Sequence, residues 1–285
     1  MTKSILFVRN AYLDTPPFKF IEEQVVSEAE KHGIAVVSKT NEEFVIPSAF
    51  ENLPKICVFW DKDVNLAVYL EQSGVRVMNK PEVIALCDDK TKTFLCLRDK
   101  VPQPETLLCP QSFKAVGYKH MSFLDDVINY LGLPFVLKEG FGSYGEQVYL
   151  VENKSQAERL LKENAGKPLL FQKFIKESAG KDIRVYVVNG KAIGAMERHN
   201  TAGDFRSNHK GNNIALDHVL REDEKKIAEA ACKVLGADFA GVDLLMSDLG
   251  PLVCEVNSNA HFGAFLNTTD ISPAEHIIKY VKGLL

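Results

Sequence analysis

Short apolar runs alternate with amphipathic stretches over the first third of the chain, and this rhythm constrains the fold more than any other feature. Residues 4–9, 34–38, 56–60 and 75–78 read as strands. Between them, residues 19–32 carry helical spacing and stop at Gly33, and residues 64–72 form a shorter helix before Gly74. Glycine just past the last periodic residue is a stop signal because it adopts a left-handed backbone at no steric cost. A β-α-β rhythm of this kind favours a small parallel sheet. No G-x-G-x-x-G turn accompanies it, which argues against a dinucleotide site.

The remainder reads as mixed α and β. Residues 89–98 and 122–131 are expected helices, the second with Ser122 as N-cap and Asp125 at the capping-box position. Strands are expected at 105–108, 134–139, 147–151 and 168–174, with a glycine-rich loop at 141–146 and a helix at 155–164. Two hairpins follow. Residues 182–188 and 191–198 flank Asn189-Gly190, a strong type I′ turn signal. Residues 239–247 and 252–257 flank Asp248-Leu249-Gly250. Between the hairpins lie a long polar loop, 199–213, and a helix, 222–235; a last helix spans 272–284 with Pro273 in its first turn. The fold class is therefore α/β, becoming α+β in the C-terminal part.

Composition narrows the function. Hydrophobic residues make up 46% of 285, enough to bury a sizeable core in a soluble globular protein. The formal net charge of -4 argues against a general nucleic-acid binder, which needs a basic surface. No apolar run approaches the roughly 20 residues that cross a bilayer, so no membrane partner is expected. The first residues read as the approach to a strand rather than as a signal peptide. Cys57, Cys87, Cys96, Cys109, Cys232 and Cys254 are scattered without a C-x-x-C pair, poor spacing for zinc or for a disulfide framework. Reduced thiols in the cytoplasm are the expectation.

Several positions carry the right chemistry for a charged substrate. With Leu249 centring the second hairpin, Asp243 lies directly opposite Glu255, and Asn257 shares the face of Glu255. Opposed carboxylates destabilise a sheet unless a cation joins them, and oxygen ligands without His or Cys suit magnesium. The same residues also fit a solvated face or a pair neutralised by Lys or Arg. Lys138 ends a strand and precedes Gly140, Gly142, Ser143 and Gly145, whose backbone N–H groups could cradle phosphate; no G-K-[ST] closes the loop, and a plain surface hairpin reads the same way. Asp182 and Arg184 share one strand face. Counted from the Asn189-Gly190 turn, Glu197 falls opposite Asp182, which turns Arg198 the other way. Arg206, Asn208 and Lys210 sit in the polar loop, either solvated or closing over phosphate. Lys90 lies in Asp89-Lys90-Thr91-Lys92-Thr93-Phe94, by itself a lysine-rich helix start. No histidine has a metal-binding partner in sequence; His209 and His261 fall in loops that could touch substrate.

Taken in order, these segments resemble the ATP-grasp superfamily, and most closely its RimK-like amino-acid ligases. The stretches that carry the resemblance are Gln172-Lys173-Phe174-Ile175-Lys176-Glu177, Lys181-Asp182-Ile183-Arg184, Gly203-Asp204-Phe205-Arg206-Ser207-Asn208, and Gly241-Val242-Asp243 with Cys254-Glu255-Val256-Asn257-Ser258. The match runs over residues 75–258, and the segment before it is similar in kind to the small α/β domain that precedes an ATP-grasp module. The resemblance implies an ATP-grasp fold divided as 1–88, 89–170 with the glycine loop, and 171–285 with the metal site. It implies ATP and magnesium, with manganese as a substitute metal, and an ADP-forming carboxylate–amine ligase acting through an acyl phosphate on amino-acid or peptide substrates. An ATP-grasp kinase and a non-catalytic ATP-binding protein are the alternatives. Homo-oligomers are common in the superfamily.

Roles follow position by position from the resemblance. Lys90 and Lys138 match lysines that hold nucleotide phosphates. Gly142, Ser143 and Gly145 belong to the loop that closes over ATP. Lys173, Phe174 and Ile175 match the hinge strand whose backbone meets adenine, and Asp182 a nucleotide-binding acidic position. Arg206, Ser207 and Asn208 match the loop near the phosphates, and Asp243, Glu255 and Asn257 the metal ligands. Arg184 or Arg206 would stabilise a tetrahedral oxyanion. One stretch departs: glutamate-adding members continue past the last ligand with a Ser-Pro-Gly-like turn, whereas this chain has Ser258-Asn259-Ala260-His261-Phe262-Gly263. That region shapes the acceptor pocket, so the departure bears on the substrate and not on the ATP chemistry.

Overall fold

The computed structural model describes residues 3–209 and 213–285; Lys210 lies outside the described residues. Among the described residues three sheets organise the fold. The first is built from β1 (Ser4–Arg9), α1 (Pro16–Lys31), β2 (Ala35–Thr40), β3 (Ile56–Trp60), α2 (Val64–Gln72) and β4 (Arg76–Met78). Its strands are parallel in the order β2-β1-β3-β4, as the rhythm of the first third predicts. β3 is buried along its whole length, and its unbroken apolar run suits a strand covered on both faces. α1 turns Ile21, Val25 and Ala29 inward at helical spacing.

Two helices follow where one was expected, α3 (Pro81–Asp88) and α4 (Lys90–Leu97). Asp89 separates them and caps α4, its side chain accepting from the backbone N–H of Thr91 and Lys92. The second sheet comprises β5 (Thr106–Leu108), α5 (Phe123–Leu131), β6 (Phe135–Glu139), β7 (Val148–Val151), α6 (Lys154–Glu163) and β8 (Leu169–Lys173). It is antiparallel, ordered β5-β8-β6-β7, with α5 and α6 packed on it through Leu124, Leu131, Ala157 and Leu161. Ser122 is not the cap that its sequence suggests: it is itself helical and its side chain makes no cap bond.

The third sheet holds β9 (Lys181–Val188), β10 (Lys191–Asn200), β11 (Asn213–His218), α7 (Glu222–Leu235), β12 (Phe239–Ser247) and β13 (Gly250–Asn257), ordered β11-β10-β9-β12-β13 and antiparallel. Two helices close the chain, α8 (Gly263–Thr269) and α9 (Pro273–Lys282). The polar loop is shorter than expected, because β10 runs on to Asn200 and β11 begins at Asn213. β11 is an edge strand whose Ile214 and Leu216 are exposed, so no buried face reveals it in sequence.

The cores tie the sheets together. Val83, Cys87, Leu97 and Val101 pack with Val185, Ala228 and Val242, which joins α3 and α4 to the third sheet. Ile277, Ile278 and Val281 of α9 share a core with Ile21 and Val25 of α1, which binds the end of the chain to its start. β8 spans the expected 170/171 division.

Both hairpins of the third sheet contain a bulge, and both bulges matter. In β9–β10 the two-residue turn pairs Val188 with Lys191, but the register slips between Ala192 and Gly194, leaving Ile193 as the extra residue. From there Arg198, not Glu197, faces Asp182. Gly194 fits because a Cβ there would meet Ile271 Cδ1 at 2.7 Å and Phe265 Cζ at 3.1 Å. In β12–β13 the turn is Asp248-Leu249 alone, one residue tighter than expected, pairing Ser247 with Gly250. A bulge at Cys254 restores the predicted Asp243–Glu255 pairing by a different route.

Candidate active site

One cavity of about 700 Å³ opens between the three sheets, and it is lined by the expected phosphate, adenine, metal and oxyanion residues from Lys90 to Asn257, though not by Gly140. Its floor is a buried network of four charges. Arg184 donates to both carboxylate oxygens of Asp243 at 2.7 Å. Arg198 donates to both oxygens of Asp182, at 2.8 and 2.5 Å, and its Nη2 lies 3.0 Å from Asp243. The reading that turns Arg198 away is thus corrected by the β10 bulge. Burial alone would raise the Asp243 carboxyl; Arg184 and Arg198 outweigh it and hold the group below the ordinary carboxylate range. Burial likewise disfavours the Arg198 charge, but the two carboxylates outweigh that and raise its pKa. Asn257 adds an N–H to Asp243 at 3.3 Å. Glu255, opposite Asp243, is more open, with Lys90 Nζ 3.8 Å away.

Lys138 stands apart from that network. It comes from β6, is only 7% exposed, and donates to Cys254 Sγ at 3.3 Å. Among the described residues no carboxylate lies within 4 Å of its ammonium. A buried cation without a counter-ion is costly and awaits an anion.

The glycine loop connects β6 and β7 over this wall. Gly142 and Gly145 have positive φ, 147° and 69°. Two cations grip its carbonyls: Lys90 Nζ donates to Gly142 at 2.8 Å, and Arg206 Nη1 to Gly145 at 2.7 Å. Lys90 is fixed at the first turn of α4 by the Asp89 cap. Arg206 is fixed by Asp204, which accepts from its Nε and Nη2 and whose carboxyl those bonds hold below its usual range. A Cβ on Gly145 would sit 3.2 Å from both Arg206 and Asn208, so the loop and residues 205–208 are in close contact. Ser207 is buried beside them.

The segment expected to meet adenine begins at the end of β8. Lys173 turns its side chain to Glu105 at 2.9 Å and leaves its cavity side to the chain beyond, where Phe174 packs edge-on against Phe205. Ile175 and Leu245 complete an apolar slot.

Sequence reasoning missed the opposite wall. Asn10 and Asp61 follow β1 and β3, and Asn259 follows β13; His261, a loop histidine already expected near substrate, lines the cavity beside them. The parallel sheet holds the signal that finds the first two, since ligands of such sheets gather beyond the carboxyl ends of the strands. His209 does not line the cavity.

The sequence profile of the RimK-like ATP-grasp domain matches residues 87–281. N-acetylaspartylglutamate synthase A from Homo sapiens is 37% identical over 238 residues, covering 82% of this chain and 59% of the synthase. Beta-citrylglutamate synthase B from Mus musculus is 36% identical over 230 residues, covering 79% of this chain and 57% of that protein. The chain thus spans little more than half the length of these curated relatives. Among solved structures, D-alanine–D-alanine ligase from Bacillus anthracis complexed with ATP superposes with a TM-score of 0.74 at 17% identity, over 99% of this chain and 95% of that one. That likeness is one of fold, and the fold is the ATP-grasp fold. The chain belongs to the RimK-like ATP-grasp family. No helix among the described residues is long and apolar enough to cross a membrane.

Proposed function

We propose that the chain is an ATP-dependent carboxylate–amine ligase that forms an amide or peptide bond through an acyl phosphate. The observation that carries this reading is the buried, uncompensated ammonium of Lys138 beneath a glycine loop. A polyphosphate supplies the anion that this ammonium lacks. Lys90 reaches the same space, and the loop's backbone N–H groups can follow the phosphates. The apolar slot of Phe174, Ile175 and Leu245 suits a flat base, and the similar D-alanine–D-alanine ligase is a complex with ATP.

Asp243, Glu255 and Asn257 offer oxygen donors only, which fits magnesium, with manganese as a substitute. When bound, the metal neutralises phosphate charge and orients the transferring group. The chain's own residues do the rest. Phosphorylation gives the carboxylate a leaving group, and phosphoryl transfer asks for positioning and charge neutralisation rather than a protein nucleophile. Lys90 and Lys138 supply cationic charge. Arg184 is the cation for the tetrahedral oxyanion formed when the amine attacks, with Arg206 the alternative from the loop. The glycine loop, clamped by Lys90 and Arg206, keeps out the water that would hydrolyse the acyl phosphate.

Substrates are small-molecule or peptide carboxylates and amines. The relatives' names join N-acetylaspartate or citrate to glutamate, which directs the first assay. Mg-ATP is incubated with N-acetyl-L-aspartate, citrate and a mixture of L-amino acids, and products are weighed. ADP, free phosphate and a mass equal to one carboxylate plus one amine less water are expected. A phosphorylated product without free phosphate makes the chain a kinase, and tight ATP binding without any ADP makes it a nucleotide-binding protein.

A further inference from the structure

The wall facing the phosphate side carries a second set of unmatched groups. Asp61, at the end of β3, is 6% exposed and lines the cavity. Its carboxylate accepts from Asn10 Nδ2 at 3.2 Å on each oxygen and from the Lys62 backbone N–H at 2.7 Å. Among the described residues no Lys, Arg or His side-chain nitrogen lies within 4 Å of its carboxylate oxygens. Lys62, its neighbour, is paired with Asp88 instead. Burial pushes the Asp61 carboxyl pKa up, as a carboxylate without a cation requires.

Asn259 completes the set. Its Nδ2 donates to the Asp61 backbone carbonyl at 2.5 Å; among the described residues its buried Oδ1 has no donor, and the buried indole N–H of Trp60 has no acceptor. Phe18 and His261 form an edge-to-face pair 4.4 Å apart on the same wall. Burial, reinforced by Arg184, pushes His261 down to about 4, so the ring is neutral at pH 7 and does not repel a cation.

A buried carboxylate that lacks a cation and an amide oxygen that lacks a donor suit a group with several N–H bonds and a positive charge. Aromatic faces add to the attraction of such a group. The ammonium of an amino acid or of a peptide N-terminus is such a group. We propose that Asp61 and Asn259, with Trp60, Phe18 and His261 around them, form a subsite for the ammonium of an amino-acid or N-terminal peptide substrate. This rests on the ligase reading, in which that substrate is the attacking amine.

Trp60 is the sole tryptophan, so its emission reports this wall directly. The probes are non-aromatic L-amino acids and the same compounds N-acetylated. A saturable change in Trp60 emission with at least one free amino acid, and none with its N-acetyl form, is expected. Asp61→Asn should raise the half-saturating concentration at least about tenfold, the loss of one charged partner. Asn259→Leu should weaken binding in the same direction and carries the test if Asp61→Asn does not fold, as judged by thermal unfolding. Equal binding of N-acetylated compounds, unaltered affinity in the folded variants, or no emission change with any amino acid overturns the subsite. Saturable, Asp61-dependent binding in a chain that forms no ADP leaves the subsite standing and removes the ligase reading. Amide formation with an amine KM unchanged by Asp61→Asn does the reverse.

Discussion

Arg198 and Asp182 face each other across β9 and β10 and are joined by two hydrogen bonds of 2.8 and 2.5 Å, because a bulge at Ile193 moves β10 by one residue. Without that slip the arginine would point away from the cavity and both Asp182 and Asp243 would lose a counter-charge. Removing one partner of a buried pair strands the other, which is worse than never burying either. Arg198→Met is therefore expected to cost about 3–5 kcal/mol of folding stability, read from denaturant unfolding. A cost below about 1 kcal/mol, the range of an exposed pair, contradicts the network.

The same network separates two substitutions at the proposed metal site. Among the described residues the Glu255 carboxylate is ion-paired with Lys90 alone, at 3.8 Å, so Glu255→Gln should leave stability almost unchanged while lowering metal-dependent ADP release about a hundredfold or more. Asp243→Asn also removes the anion between Arg184 and Arg198, and should cost about 3–5 kcal/mol in addition. Calorimetry and ADP release on the two variants check the contrast. Full metal-dependent turnover in Glu255→Gln contradicts the assignment.

Much of this was legible in the sequence, and the failures have physical causes. Turn chemistry is local, so Asn189-Gly190 sets the first hairpin correctly. The bulge at Ile193 arises from packing of Gly194 under Phe265 and Ile271, which no count along the strand can see. The Asp243–Glu255 pairing came out right through two compensating differences, a tighter turn and an extra residue at Cys254. α3 was missed because it abuts α4 at Asp89. The wall of Asn10, Asp61 and Asn259 exists only once the parallel sheet docks on the third sheet.

Lys138→Met tests the phosphate wall. The substitution removes a buried ammonium that has no counter-ion among the described residues, so stability should hold or rise. ATP affinity, by equilibrium titration, should fall about tenfold or more, as expected for losing a desolvated charge contact. An affinity within about twofold of the parent, well under one kcal/mol, removes Lys138 from the site.

His261 predicts a pH dependence. In the unfolded chain its imidazole takes up a proton near 6.5, but in the folded chain only near 4. Between those values the unfolded state binds more protons, so stability falls as pH drops from 6.5 to 4, by up to about 3 kcal/mol. His261→Gln should flatten that part of the profile, measured by denaturant unfolding at each pH. Parallel profiles for parent and variant contradict the buried, neutral ring.

The central claim is that the carboxylate is activated by phosphorylation inside this cavity. The direct measurement uses the carboxylate substrate labelled with oxygen-18 in both carboxyl oxygens, with Mg-ATP and the amine, and mass analysis of the released phosphate. An acyl phosphate passes one carboxyl oxygen to phosphate when the amine displaces it, so phosphate carrying one oxygen-18 is the expected result. Amide formation with unlabelled phosphate contradicts the account.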